Sequence, residues 1–384
     1  MGNNNIFIKM KIVFVLENYY PHLGGAEVLF RNLCEGLAKK YNVIVVTHRL
    51  PGTLEEEFIN KVRVIRVNVP KKFSRYFFTF YCIPTLMRHC RDADIIHTTT
   101  YNGAPPAWFI SKLYKKPRVI TILEVIGSRW ATQLNMSWLS GKLHQFLEKR
   151  IVNLKFDKYI CISKATEKDL VQANFYADST YIYPGVDYEH WNPNKYSRIK
   201  YRKKLGLKNK FIYFYYGRPG PSKGFTHLLK AVSIIKKKMP NSCLVALLSR
   251  DEQYLKYYDE INEIINKEKI SDYVKILPSV DYKELPHYIK MADCVVVPSV
   301  SEGFGYTTVE SCTMNVPVVA SNVGSIPEVI SGKYVFSEVS NSEDIAFCIE
   351  MIMRGEGKIT PVRSFLWSDC IEQYEEVYNE VLKK

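Results

Sequence analysis

Several features are scarce or missing in this sequence, and each absence excludes a class of protein. The nine cysteines are scattered singly, without a C-x-x-C pair, which argues against a disulfide framework and a structural zinc site. No run of about 18 uninterrupted apolar residues is present, and the start of the chain lacks the basic and apolar segments of a signal peptide. We therefore expect a protein of the reducing cytoplasm that does not span a membrane.

The composition is that of a soluble globular protein with more than one domain. The 384 residues are 47% hydrophobic and 24% charged, and a chain of this length usually forms two domains. Residues 1–187 contain 26 Lys and Arg against 15 Asp and Glu, whereas residues 188–384 contain 27 against 24. A basic first half attracts phosphate-rich partners, such as nucleic acid, an anionic membrane or a phosphorylated acceptor. Solubility alone is the simpler explanation.

Apolar β-rich runs alternate with segments of helical period, which predicts βαβ units and parallel sheets. In the first half the predicted strands are 11–16, 43–47, 62–67, 94–97, 119–123 and 158–162. In the second half they are 211–216, 242–248, 274–277, 294–298 and 316–320. The sequence therefore predicts an α/β protein built from two doubly wound domains.

The domain boundary is predicted near Asp187. The segment 181–187 and the Trp191-Asn-Pro193 stretch that follows have the Pro and Gly content of an interdomain hinge. Residues 1–187 and 188–364 are thus the expected domains. In doubly wound domains the ligand loops follow the carboxyl ends of the strands, so we expect the chemistry in a central cleft that both domains face.

A cationic, glycine-rich turn follows the first predicted strand of the second domain. The segment 217–224 reads GRPGPSKG and carries Arg218 and Lys223 just before a predicted helix. Backbone N–H groups and a helix amino end favour a phosphate at such a turn. Lys223 precedes Gly224, so this is not the Gly-Lys-Ser/Thr order of an ATPase loop. Taken alone, such a turn is more often an ordinary basic βα loop than a catalytic clamp.

Two glutamates eight residues apart follow a later strand of the same domain. Glu302 lies in the loop after the predicted strand 294–298, and Glu310 lies about one turn inside the next helix. Gly303 and Gly305 between them allow the backbone to approach a ligand closely. Two carboxylates that only accept hydrogen bonds suit a hydroxyl-rich ligand, such as a ribose and a hexose. The alternative is a surface pair without a common ligand.

These motifs together resemble the donor-binding domain of retaining GT-B glycosyltransferases of family 4. The resemblance includes Arg218, Lys223, the Glu302/Glu310 pair and the segment 322–328. Further matching segments span the chain: 24–27, 94–97, 161–166, 184–187 and 365–367. The family fold implied is two Rossmann-like domains facing a cleft, with a final helix, here 365–384, that crosses back to the first domain.

The resemblance implies the transfer of a hexose from a UDP- or GDP-sugar to a lipid-linked or glycan acceptor, with retention of configuration and without a metal or other cofactor. Arg218 and Lys223 would hold the diphosphate and stabilise its charge as it leaves. Glu302 would contact the transferred sugar and Glu310 the ribose. The remaining donor-binding positions implied are Gly24, Gly25, Gly217, Gly303, Phe304, Gly305, Tyr306 and Thr307.

The sequence departs from the family pattern at one position. Many relatives have a histidine at the end of the strand that matches 119–123, facing the reacting sugar, but this chain has Leu123 followed by Glu124. Three interpretations stand: Glu124 or His97 takes over the sugar contact, the chain tolerates the loss, or it transfers poorly. His97 is equally well explained as a structural histidine at a strand end.

The segment 71–83 joins three cations to six aromatic residues. Aromatic side chains at headgroup depth, with Lys or Arg on phosphate, bind an anionic membrane surface. This composition predicts peripheral contact with the cytosolic face of a membrane. A buried helix would use the same aromatic residues in the core.

Other protein classes fit the sequence less well. A dehydrogenase would need G-x-G-x-x-G after the first strand, where this chain reads LGGAE. A basic nucleic-acid-binding protein would use the same charge, but no zinc finger or RNA-recognition motif is present, and we expect no nucleic-acid partner. A nucleotide-sugar epimerase, or a weakly active or non-catalytic GT-B relative, stays open because of Leu123.

Overall fold

The computed structural model describes residues 9–22, 24–70, 72, 74–132, 137–250 and 252–384. The chain divides into two compact units. Unit 1 comprises Met1–Trp130, Trp138–Gly185 and Phe365–Lys384, and unit 2 comprises Ala131–Ser137 and Val186–Ser364.

Strands and helices alternate along the described chain. The strands are β1 (Lys11–Val15), β2 (Asn42–His48), β3 (Glu56–Ile59), β4 (Val62–Val67), β5 (Ile95–Thr99), β6 (Arg118–Ile122), β7 (Lys158–Cys161), β8 (Ser179–Tyr181), β9 (Phe211–Gly217), β10 (Ser242–Leu248), β11 (Val274–Pro278), β12 (Cys294–Val297), β13 (Val318–Ser321), β14 (Gly332–Ser337) and β15 (Lys358–Thr360). The α-helices are α1 (Gly25–Leu37), α2 (Ser74–Tyr81), α3 (Ile83–Cys90), α4 (Ala104–Leu113), α5 (Arg129–Thr132), α6 (Trp138–Val152), α7 (Lys164–Ala173), α8 (Arg198–Lys204), α9 (Phe225–Lys238), α10 (Lys256–Lys267), α11 (Leu285–Met291), α12 (Tyr306–Thr313), α13 (Ile326–Val329), α14 (Ser342–Met353) and α15 (Trp367–Lys383).

Unit 1 is built on one sheet with the strand order β3-β4-β2-β1-β5-β6-β7-β8. Its strands pair in parallel, except that β3 runs antiparallel to β4. The central strand β1 is fully buried from Ile12 to Val15, as expected for a parallel strand covered by helices on both faces. Because all the parallel strands point the same way, the loops after β1, β5 and β6 meet at one edge of the sheet.

The final helix, α15, belongs to unit 1 although it follows unit 2 in the sequence. It buries Cys370, Tyr374, Val377, Tyr378 and Val381, which is the spacing of one helical face. It packs against α1, where a Cβ on Gly36 would lie 2.2 Å from the Ile371 Cδ1 atom. The two helices approach closely at this glycine.

Unit 2 has a second sheet with the order β11-β10-β9-β12-β13-β14-β15. The strands are parallel, except that β15 runs antiparallel to β14. Strand β10 is buried along its whole length, and α9 covers the sheet with an apolar face that includes Phe225, Leu228 and Val232. The neighbouring strands β9 and β12 lie at the middle of this sheet, and their carboxyl ends carry the loops of interest.

The predicted fold class, two Rossmann-like domains with parallel sheets, is confirmed. The predicted strands all coincide with observed ones to within two residues, but β3, β8, β14 and β15 were not predicted. These four lie at or next to a sheet edge, where a strand needs little apolar character. None of the helices in the described part of the chain combines the length and apolar character needed to span a bilayer.

Candidate active site

The cationic turn after β9 lies directly against the loop that follows β12. Gly224 ends the turn with a φ of +64°, and a Cβ placed on it would lie 1.9 Å from the Pro298 carbonyl oxygen. The Val300 amide donates to the Ser222 carbonyl over 2.9 Å. A glycine is required here both for the left-handed backbone and for the close approach. The sequence therefore brings its two predicted motifs together through backbone contacts.

Lys223 and Glu302, both predicted site residues, form an ion pair. The Lys223 Nζ atom donates to Glu302 Oε2 over 2.7 Å, and the Ser299 hydroxyl donates to the same oxygen over 3.1 Å. Both charged side chains are largely shielded, with 23% and 13% of their surfaces exposed. The cation is therefore held at the carboxyl ends of β9 and β12, at a position where a phosphate oxygen could replace the carboxylate.

The backbone of Glu302 is supported by the turn after β13. Gly324 has a φ of +54°, and a Cβ on it would lie 2.3 Å from the Glu302 carbonyl oxygen. The Ser325 amide donates to that same oxygen over 3.2 Å. This contact explains why the segment 322–328 accompanies Glu302 in the sequence pattern.

Glu310, the second predicted glutamate, lies on α12 next to the end of β9. The Tyr216 hydroxyl donates to Glu310 Oε2 over 2.7 Å and lies 3.1 Å from the Thr307 carbonyl oxygen. Burial raises the pKa of the Glu310 carboxyl to about 7, although the hydrogen bond from Tyr216 opposes the rise. Sequence reasoning missed Tyr216; its only signal was a tyrosine at the last position before Gly217.

Lys223, Glu302 and Tyr216 line one small cavity, and Glu310 lies next to it through its hydrogen bond with Tyr216. It is lined by residues from both motifs, including Tyr216, Gly217, Lys223, Glu302 and Thr307. Four of the predicted site residues, Gly217, Lys223, Glu302 and Thr307, therefore line one cavity at this edge of the sheet.

The remaining predicted positions of this segment form the start of α12. Gly305 precedes the helix with a φ of +89°, and Tyr306 and Thr307 form its first turn. Phe304 is buried, with its ring centroid 5.0 Å from that of Tyr306. Gly303 is half-buried. The amino end of α12 thus lies beside Glu302, and a helix amino end favours an anion.

Arg218 is placed at the start of the cationic turn with an exposed side chain. Its carbonyl oxygen accepts a hydrogen bond from the Tyr215 hydroxyl over 3.0 Å. Burial raises the pKa of Tyr215, while the Arg218 charge lowers it and the Glu302 charge raises it. Both charged groups are therefore close enough to act on the same buried hydroxyl.

The unit 1 glycines lie at the amino end of α1. Gly24 is the residue before the helix and Gly25 is its first residue. A Cβ on Gly24 would lie 2.5 Å from the Glu27 Oε2 atom, which in turn belongs to a carboxylate 3.2 Å from His22 Nδ1. The predicted loop therefore includes a carboxylate as well as the helix amino end.

Glu124 lies in the loop after β6, as predicted, and is half-buried. The Tyr101 hydroxyl lies 3.5 Å from its carbonyl oxygen. Leu123, at the family's histidine position, is also half-buried.

His97 is a core residue, and its predicted role in contacting the sugar is corrected. Its side chain has no exposed surface. Its Nδ1 lies 2.6 Å from the Tyr378 hydroxyl and its Nε2 lies 2.9 Å from the Thr121 hydroxyl. Its ring stacks on that of Phe14, with centroids 4.8 Å apart. Burial lowers the pKa of His97 to about 3, so the ring is neutral and serves to hold α15 on the sheet.

The aromatic segment 71–83 is divided between core and surface. Lys71 and Phe73 lie outside the described residues. On α2, Phe78 is fully buried, whereas Tyr76, Phe77, Phe80 and Tyr81 are exposed.

Within the described ranges, no three His, Cys, Asp or Glu side chains form a group that could hold a metal ion.

Two family models match adjoining parts of the chain. The model of Glycosyltransferase Family 4 matches residues 23–190, and the model of Glycosyl transferases group 1 matches residues 197–361.

Curated relatives resemble the chain over most of its length. An uncharacterized glycosyltransferase of Methanocaldococcus jannaschii is 28% identical over 94% of this chain and 96% of its own. A D-inositol 3-phosphate glycosyltransferase of Corynebacterium glutamicum is 22% identical over 75% of this chain and 72% of its own.

Solved structures share the fold. HepE of Anabaena, in complex with UDP and glucose, superposes with a TM-score of 0.78 at 18% identity, over 96% of this chain and 99% of its own. Sucrose-phosphate synthase of Thermosynechococcus elongatus gives a TM-score of 0.80 at 18% identity, over 98% of this chain and 100% of its own. With the two halves matched by these family models and the fold shared with these structures, the chain belongs to the family 4 glycosyltransferases with the GT-B fold.

Proposed function

We propose that this protein transfers a hexose from a UDP- or GDP-sugar to a lipid-linked or glycan acceptor, with retention of anomeric configuration. The observation that carries the proposal is the convergence in unit 2: the Lys223–Glu302 ion pair and the Tyr216–Glu310 hydrogen bond lie beside the same cavity. A diphosphate needs cations, and a ribose and a hexose need acceptors for their hydroxyl groups. This edge of the sheet offers both.

The donor is a nucleotide-diphosphate sugar in this proposal. The similar protein HepE has structures in complex with UDP and glucose and with UDP-glucose, which favours a uridine nucleotide among the candidates. Lys223 and Arg218 would contact the diphosphate, and the amino end of α12 would add its N–H groups. When a phosphate oxygen takes the place of the carboxylate at Lys223 Nζ, Glu302 becomes available to accept from the hexose hydroxyls.

Glu310 would bind the ribose of the donor. Its carboxylate already accepts from the Tyr216 hydroxyl over 2.7 Å, and a carboxylate has further lone pairs for a ribose hydroxyl. The ionised form is the stronger acceptor. Because burial raises the pKa of Glu310 to about 7, we expect donor binding to strengthen as the pH rises through neutrality.

The reaction proposed is the front-face displacement that the family resemblance implies. The bond between the anomeric carbon and the departing phosphate oxygen breaks, and the acceptor oxygen bonds to that carbon on the same face. The acceptor proton passes to the departing phosphate, so no carboxylate nucleophile is needed. Arg218 and Lys223 would stabilise the developing charge of the diphosphate, and we propose that no metal ion takes part.

We propose that the acceptor binds unit 1 and is presented at the cytosolic face of a membrane. Residues 1–187 have 11 more basic than acidic residues, counted as 26 against 15. On α2, the exposed Tyr76, Phe80 and Tyr81 accompany Arg75, whose side chain is 66% exposed. Exposed aromatics beside a cation suit an anionic membrane interface. A lipid-linked acceptor would be presented at such a surface.

The test begins with a thermal-shift panel of UDP, GDP and ADP and their glucose or mannose derivatives. A ligand at 100 times its dissociation constant raises stability by about 2.7 kcal/mol. The sugar nucleotide that gives the largest shift is then incubated with lipid-phosphate and glycan acceptors in the presence of a chelator. We expect a glycosylated product with retained configuration.

Three results would contradict the proposal in different ways. An altered sugar nucleotide formed from the donor alone would indicate an epimerase. Tight binding of a labelled oligonucleotide at moderate salt, without any nucleotide-diphosphate shift, would indicate a nucleic-acid-binding protein. Strict dependence on added magnesium or manganese would contradict the metal-free reaction.

A further inference from the structure

The loop after β6, residues 123–127, is held by two charged side chains, the buried Glu148 and the partly exposed Arg129. It carries Glu124 and includes Leu123, the position where the family has a histidine that faces the reacting sugar. The loop has no regular secondary structure, so its conformation depends on side-chain contacts. This inference rests on the proposed function and on the family resemblance, by which Glu124 would take over the sugar contact of the missing histidine.

Glu148 on α6 is the first of these groups. Its side chain is almost fully buried, with 3% exposed. Its carboxylate accepts from the Ile126 amide over 2.9 Å, from the Gly127 amide over 2.6 Å and from the Tyr101 hydroxyl over 3.0 Å. The two carboxylate oxygens therefore fix two successive N–H groups of the loop.

Arg129 is the second group and binds the carbonyl side of the same peptides. Its Nε donates to the Ile126 carbonyl oxygen over 3.0 Å, and its Nη2 donates to that of Val125. The same Nη2 lies 2.6 Å from an oxygen of Asp169 on α7. Donors and acceptors of the loop backbone are thus fixed by opposite charges.

The contacts extend to the loops of the two neighbouring strands. Tyr101, which donates to Glu148, lies in the loop after β5, and its neighbour Asn102 donates to Glu17 in the loop after β1 over 2.6 Å. Glu17 also accepts from the Arg75 Nε atom of α2 over 2.7 Å. Strands β1, β5 and β6 are adjacent in the sheet, so two carboxylates connect three successive loops at its carboxyl edge.

A loop that only connects two elements does not need a buried carboxylate to hold it. Moving an ion out of water costs free energy, and an apolar contact would stabilise the fold at least as well. Glu148 instead fixes the orientation of the loop backbone, because a charge-assisted hydrogen bond to each of two N–H groups fixes the peptide planes. Fixed geometry is what a group facing a reacting sugar requires.

We propose that Glu148 is a positioning residue for the transfer reaction: with Arg129, it sets the backbone of residues 123–127 and thereby the position of Glu124, the residue that would take over the sugar contact of the missing histidine. Glu148 itself does not touch the substrate. Sequence reasoning missed it because a single glutamate on a helix is indistinguishable from a solvated surface residue.

The test compares Glu148→Gln with Glu148→Asp and with Leu170→Ala. A glutamine would present an NH₂ group to one of the two loop amides, whereas an aspartate would keep the charge. Leu170 is fully buried in the core cluster that also contains Val125 of the loop, and its truncation lowers stability while leaving the hydrogen bonds of Glu148 and Arg129 to the loop backbone in place. The probe is UDP-glucose, and the measurement is the UDP that is released when glucose passes to water or to the acceptor, below all unfolding temperatures.

We expect Glu148→Gln to lower kcat by about tenfold or more, while UDP binding, which depends on unit 2, stays unchanged. Glu148→Asp should recover part of the rate, and Leu170→Ala should keep the wild-type rate. Hydrogen exchange of the amides of Ile126 and Gly127 should be faster in Glu148→Gln than in the wild type.

Distinct outcomes separate failure of the inference from failure of the proposed function. If the wild type is active and Glu148→Gln matches it, or if the exchange of the two amides is unchanged, only the positioning role is overturned. The same holds if Leu170→Ala loses as much kcat as Glu148→Gln. If the wild type releases nucleotide from none of the UDP-, GDP- or ADP-sugars, the proposed function fails and the positioning role fails with it.

Discussion

Lys223 and Glu302 lie 79 positions apart in the chain, and their side chains meet with 2.7 Å between Nζ and Oε2. Each comes from a loop at the carboxyl end of a strand, β9 for the lysine and β12 for the glutamate. These strands are neighbours in the parallel sheet of unit 2. The ion pair places a cation and a hydroxyl acceptor side by side, as a sugar diphosphate requires.

Replacing Lys223 by alanine should lower turnover by about 100-fold or more, as loss of a preorganised group that stabilises developing negative charge does. Arg218→Ala should have an effect of the same order, since both cations would bind the diphosphate. The measurement is kcat with the sugar nucleotide identified by thermal shift. Lys230→Ala, at an exposed position on α9, is the matched control. Wild-type turnover in both site variants would remove the proposed role of the cationic turn.

Stability should depend on pH through Glu310. The pKa of its carboxyl is about 7 in the folded protein against an ordinary value of 4.5, so the folded state binds this proton more tightly than the unfolded state. Proton binding by Glu310 therefore stabilises the folded protein. This stabilisation is fully present below about pH 4.5 and is lost as the pH rises through 7. Glu310→Gln cannot ionise. Its free energy of unfolding should therefore rise relative to that of the wild type by up to about 3 kcal/mol between pH 4.5 and 8.

Urea unfolding of both proteins across this pH range measures the difference. Glu376→Gln, at an exposed position on α15, provides the control for the removal of a carboxyl group. If the difference in the free energy of unfolding between Glu310→Gln and the wild type does not depend on pH, then burial does not shift the pKa of the Glu310 carboxyl.

Gly224→Ala should destabilise unit 2 by more than about 2 kcal/mol, because strained backbone costs about 1–3 kcal/mol and a steric overlap is added. The new Cβ would lie 1.9 Å from the Pro298 carbonyl oxygen. Gly206→Ala is the control, since Gly206 has a φ of +71° and no heavy atom within 4 Å of its Cβ position. Chemical denaturation gives both values. Equal losses for the two variants would show that the contact between the two loops is absent.

His97 should affect stability in acid and leave turnover unchanged. Burial lowers its pKa to about 3 from an ordinary value of 6.5, so the unfolded state binds the proton more readily. The stability that the neutral ring provides is present above pH 6.5 and is lost as the pH falls toward 3. His97→Gln should reduce this acid dependence and retain the wild-type kcat well below its unfolding temperature. A large loss of kcat at unchanged stability would restore a role for His97 in the reaction.

The observed strands show which parts of the fold can be predicted from local sequence. The buried strands β1, β9, β10 and β12 are continuous apolar runs bounded by turn residues, so the prediction located them. Strand β3 has the sequence EEFI and β15 has KIT. Such strands form because an existing sheet edge offers them hydrogen-bonding partners, and that information lies far away in the chain.

The sequence by itself determined the alternation of strands and helices, the two-domain division of the α/β fold, and the two motifs that carry Lys223, Glu302 and Glu310. Each of these depends on local patterns of apolar residues, glycines and charges. Only the tertiary structure decided that Lys223 pairs with Glu302, that Glu310 meets Tyr216, and that His97 lies inside the core. It also revealed Glu148, because burial and hydrogen bonding arise from residues that come together only after the chain has folded.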